Sequence, residues 1–143
     1  MKLDRAVSVI LLTLAVSTPA FAQSKMKVAI EATSDDRVGR QFVFHVRDQI
    51  GRSGMFAEDP SGALKVNIVT LDPDESVQGN RTIYSYTFLV SGGEDRLDSY
   101  LTSGVGICGL QKVQSCAQRI FTELGEQVET LRSILAKTKD KNF

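Results

Sequence analysis

The sequence predicts an α+β fold: one domain in the order β-α-β-β-β-α, with a twisted mixed or mainly antiparallel sheet carrying two helices on one face. Three observations carry that expectation. Apolar and polar residues alternate with period 2 over 26–32 and 64–71, and 81–90 is rich in β-branched and aromatic residues. The period changes to 3.6 over 35–52 and again from Leu110 onward. No repeat, low-complexity tract or linker divides the chain after residue 22. Two helices with one apolar stripe each are buried most economically on the same face of a single sheet.

The first strand, MKVAIEA at 26–32, sets Val28 and Ile30 against charged neighbours. Thr33-Ser34-Asp35-Asp36 follows, with Ser34 as the expected N-cap and the two aspartates at the positive end of a helix dipole. In the helix to about Arg52, Phe42, Val43, Val46 and Ile50 share a face. Gly39 lies one turn earlier, where a missing side chain lets a strand approach closely. Ser53-Gly54 ends the helix, and 55–58 is expected as a short extended piece.

Strands are then expected over 64–71, 81–90 and 97–108, joined by polar segments containing Pro or Gly. The first and second strands, linked through a helix, are expected to be parallel neighbours or to flank another strand by a right-handed crossover. A helix over about 110–136 carries the stripe Val113, Ala117, Ile120, Leu124, Leu131 and Ile134. It would be about 40 Å long, against about 33 Å for a ten-residue strand, so its last turns should overhang the sheet. Residues 137–143 are expected as a frayed tail.

Residues 1–22 read as a secretory signal. Lys2 and Arg5 precede an apolar run from Ala6 to Val16, and Pro19-Ala20-Phe21-Ala22 offers a small-x-small cleavage pattern after Ala22. Gln23, where a lipoprotein would have Cys, argues against a lipid anchor. The expected location is the periplasm. The whole chain has 17 Lys+Arg and 17 Asp+Glu, a balance that supplies no field for nucleic acid or an anionic membrane. No later apolar stretch is long enough to span a bilayer.

Both cysteines, Cys108 and Cys116, lie in YLTSGVGICGLQKVQSCAQRIF. With a single histidine, His45, the chain lacks a complete zinc shell, so no metal or other cofactor is expected. Seven intervening residues rule out the Cys-x-x-Cys redox spacing. A strand that reverses into a helix near residue 112 brings the two within the roughly 7 Å Cα limit for a disulfide, and an oxidising compartment favours one. The glycines of Ser103-Gly104-Val105-Gly106 match neither GxxxxGK[ST] nor GxGxxG, so a bulge or close helix packing is the reading preferred over a phosphate loop.

In β-rich 81–90, Tyr84, Tyr86 and Phe88 share one face, while Ile83, Ser85, Thr87 and Leu89 share the other. If the helices cover the Ile83/Leu89 side, the aromatic row, with Tyr100 beside it, is an open contact surface. The opposite choice makes that row the core.

Two resemblances add to this. SDDRVG at 34–39, TLDPD at 70–74, YSYTFLV at 84–90 and above all YLTSGVGICGLQKVQSCA at 100–117 resemble a family of uncharacterised exported bacterial proteins. The element order, with RDQIGRSGMF at 47–56, resembles the N-terminal domain of the periplasmic protein TolB. The first resemblance implies no activity and the second implies topology alone.

The function expected is a small periplasmic binding or interaction module without catalysis. Its partner would be another periplasmic or envelope protein, engaged through the aromatic face or an exposed sheet edge. The alternatives are a secreted hydrolase inhibitor presenting the 72–80 loop, or a small hydrolase using Asp35, Asp36 or His45.

Overall fold

The computed structural model describes residues 24–73, 79–93 and 97–139. The signal-peptide reading and most of the 72–80 loop lie outside them. The elements run β1 (Met26–Ser34), α1 (Arg37–Arg52), β2 (Phe56–Glu58), β3 (Leu64–Leu71), β4 (Arg81–Val90) and β5 (Ser99–Gly109). A 3₁₀ turn, Leu110–Lys112, then leads into α2 (Val113–Lys139). The expected order holds, and the short piece after α1 becomes a fifth strand. Helix α2 continues three residues past the expected end at 136.

The strand order is β2-β1-β3-β4-β5. Strand β1 pairs parallel with both β2 and β3, while β3–β4 and β4–β5 are antiparallel. Parallel pairing of β1 with β3 follows from the helix between them. The first strand of the chain is therefore interior, one strand in from the β2 edge, and β5 is the other edge.

Both helices pack on one sheet face and against each other. The core there joins Val38, Phe42, Val46 and Ile50 of α1 to Val113, Ala117, Ile120, Leu124 and Val128 of α2. The sheet contributes Val28, Leu64, Val66, Ile68, Tyr84, Tyr86, Phe88 and Cys108. At roughly 25 cal/mol per Å² of apolar surface, such burial is the main source of stability. Beyond Val128 the helix overhangs: Ile134 and Leu135 are exposed.

The cap of α1 differs from expectation. Asp36, not Ser34, is the N-cap, its Oδ1 accepting from the Gly39 N–H at 2.6 Å. Ser34 still belongs to β1, which runs two residues further than the sequence pattern indicated, and its hydroxyl meets that of Thr70 at 2.7 Å. Gly39 does permit a close strand approach: a Cβ there would stand 2.6 Å from Cβ of Thr70.

Cys108 and Cys116 form a disulfide with Cα atoms 6.3 Å apart. It ties the end of β5 to the first turn of α2 across the 3₁₀ corner.

Candidate functional site

The sheet's two faces settle which side of β4 is open. Tyr84, Tyr86 and Phe88 are buried beneath the helices. The expected aromatic contact surface is thus corrected: three of its four residues are core, and only Tyr100 is exposed. Phe42 stacks on Tyr84 with centroids 4.6 Å apart, and Tyr86 lies 5.1 Å from Phe88.

The glycines of β5 explain how two tyrosines fit there. In register, Tyr84 faces Gly106 and Tyr86 faces Gly104. Each ring extends sideways over its glycine, and a Cβ at Gly106 would meet the Tyr84 hydroxyl at 2.5 Å. The expected bulge is not at these positions; the register shift in this pair lies at Phe88/Leu89.

The phenol oxygens emerge beside α2, where Arg119 donates to the Tyr84 hydroxyl and Tyr86 donates to the Glu123 carboxylate. Four residues of helix rise about 6 Å, close to the roughly 6.7 Å of two strand residues, so an i,i+4 pair on α2 matches an i,i+2 pair on β4. Burial pushes the Tyr86 phenol well above the usual tyrosine range, and its hydrogen bond to Glu123 adds to the effect. Arg119 also sits over the Tyr84 ring, 5.8 Å from its centroid. Arg119 and Glu123 line a shallow polar hollow with Ser115, Thr122 and Glu126.

A second polar cluster lies at the start of α1. Oδ2 of buried Asp36 accepts from the hydroxyls of Thr70 and Thr82, each at 2.9 Å. With Gly39 on Oδ1, this carboxylate is engaged in structural bonds. Asp35 is exposed, and its carbonyl accepts from Arg40. His45 lies nine residues along the helix from Asp36, about 13 Å in rise, and packs edge-on against Phe44. The three residues of the hydrolase alternative do not converge. Among the described residues no group of three or more His, Cys, Asp or Glu is placed to hold a metal ion. Of the amides near the glycine-rich corner, that of Leu110 is taken by the carbonyl of Asn80.

The open face is the Ile83/Ser85/Thr87/Leu89 side, the second of the two alternatives for β4. Leu71, Ile83 and Ile107 stand in one row across β3, β4 and β5, and Val69, Ser85 and Val105 in the next. Val105 is 75% exposed, Ile107 65%, Leu71 64% and Val69 52%. They form a contiguous apolar patch on three strands, and such patches mark interaction surfaces. Tyr100 pairs with Leu89 farther along the same face. A separate apolar groove of about 340 Å³ lies at the far end, where Met26, Leu64 and Val90 meet Val128, Leu131 and Leu135 of α2.

No helix among the described residues is long and apolar enough to cross a membrane. No protein-family model matches the chain, and no curated protein does. Among solved structures it is similar to the protein XCC0632 of Xanthomonas campestris, assigned to DUF330. That match has a TM-score of 0.50 and 10% identity, covering 81% of this chain and 92% of the other. At this identity the likeness is one of fold.

Proposed function

We propose that this is a small, non-catalytic protein-interaction module of the periplasm. The observation that carries the reading is the exposed apolar patch of Leu71, Ile83, Ile107, Val69 and Val105 on the uncovered sheet face. A sheet face left without helices and furnished with aliphatic side chains gains from being covered by a partner. Engagement of Asp36 as a cap, away from His45, further favours binding over hydrolysis. The partner is another envelope protein, and the secretory character of residues 1–22 supplies the compartment.

The test is affinity capture from periplasmic extract with the 23–143 chain immobilised, comparing the native protein with Ile107→Glu. Ile107 is exposed, so the variant should fold normally. The native chain should retain a protein that the variant loses; retention of none, or equal retention by both, would refute the reading.

A further inference from the structure

We propose that the chain also pairs with a second copy of itself through the free edge of β5, the two strands antiparallel about a two-fold axis at Val105. Among the described residues, β4 is the only strand beside β5. An edge strand offers a row of backbone donors and acceptors to any chain that can approach, and proteins guard against this with short strands, charges or proline. The opposite edge is guarded. Strand β2 has three residues, Glu58 pairs with Arg47, and the adjacent Asp59 pairs with Lys27 at 2.8 Å. Strand β5 has eleven residues, SYLTSGVGICG, without a charge or a proline.

The register follows from the side chains on each face. In a two-fold antiparallel pair centred on Val105, Gly104 of each copy faces Gly106 of the other. The helix-side face of the junction then carries no side chains from the β5 strands at these positions. The same register aligns charges above the junction. Arg119 stands at the level of Gly106, with Nη2 3.0 Å from where a Cβ would be. Glu123 stands at the level of Gly104, through Tyr86. Arg119 of one copy is therefore level with Glu123 of the other, twice over. An axis at Gly104 would set Gly106 against Thr102, and one at Gly106 would set Gly104 against Cys108; either loses the charge match. On the open face, Val105 meets its own copy at a Cα separation of about 4.5–5.5 Å. The rows containing Val69 and Val105 then continue from one copy into the next.

Edge pairing leaves the outer patch uncovered, so it does not depend on an envelope partner, and the purified chain alone tests it. Sedimentation equilibrium of the 23–143 chain across the micromolar range should show dimers. Val105→Lys, which opposes two ammonium groups at the axis, should weaken dimerisation at least about tenfold with the circular dichroism spectrum unchanged. Arg119→Glu should also weaken it, and Arg119→Glu with Glu123→Arg should restore it. Mild oxidation of Val105→Cys should give a reducible covalent dimer, whereas Val69→Cys, two strands inward on the same face, should not. A native chain that stays monomeric, or V105K dimerising like the native protein, overturns the proposal. If the Arg119 variants lose their fold, the V105C and V69C pair decides it.

Discussion

The Tyr84 hydroxyl occupies the place a side chain at Gly106 would need, 2.5 Å from the would-be Cβ. The two residues form one unit: the tyrosine supplies the surface that the glycine omits. Tyr84 is fully buried against Phe42, so its ring has no room to yield.

This fixes the sign of a substitution. Glycine within a strand ordinarily gains about 0.5–1 kcal/mol on replacement by alanine. Gly106→Ala and Gly104→Ala should instead each lose about 1–3 kcal/mol through overpacking, measured by urea unfolding. A gain in stability would show that the rings do not lie over the strand.

The Asp36 carboxylate unites three elements, accepting from Gly39, Thr70 and Thr82. Asp36→Ala should cost about 2–4 kcal/mol, combining a lost N-cap with hydroxyls left buried and underbonded. Asp36→Asn retains an acceptor for the cap and should cost less. Equal losses in the two variants would count against the capping role.

The disulfide closes a short loop of sequence separation 8, for which chain entropy gives about 2.5 kcal/mol. The denatured, unreduced protein should show no titratable thiol. Reduction, or replacing both cysteines with alanine, should lower Tm by about 10 °C in a domain of this size. Two free thiols in the native product would contradict the linkage.

The elevated Tyr86 phenol gives a pH dependence with a definite sign. In the unfolded chain it ionises near pH 10; in the fold, burial and the bond to Glu123 hold it protonated to higher pH. Above about pH 10 the unfolded state binds fewer protons than the native one, so stability falls as pH rises. Below that it is fully present. Absorbance at 295 nm should show Tyr86 ionising only as the protein unfolds, and Tyr86→Phe should remove that late component. An unchanged late component in Y86F would assign it to another group.

Much of the framework is legible in the sequence because period and cap chemistry are local. Gly39 announces a close approach, and the cysteine spacing announces a clip at the strand-to-helix corner. The orientation of β4 is not legible in the same way. Its two faces, Tyr84/Tyr86/Phe88 and Ile83/Ser85/Thr87/Leu89, are each plausible as core, and a strand in isolation carries no sign of which way it turns. The deciding signal lies in β5: glycines at 104 and 106 leave room on one face only, and their register with the tyrosines appears only when the strands pair. Likewise, Ser34 and Asp36 are both good caps. Asp36 takes that role because Thr70 and Thr82, distant in sequence, converge on its carboxylate.

The sheet order carries a consequence for assembly of the chain itself. Starting from β1, α1, β2 and β3 close around it within residues 26–71, and β4 and β5 are then added outward in the order of synthesis. Chains that emerge from their N-terminus can form their units in that order. The edge without charge or proline is thus the last strand made, exposed as a template only once the rest of the sheet exists. A ribosome still holding the C-terminal residues would keep β5 and α2 apart, so self-pairing would wait for release.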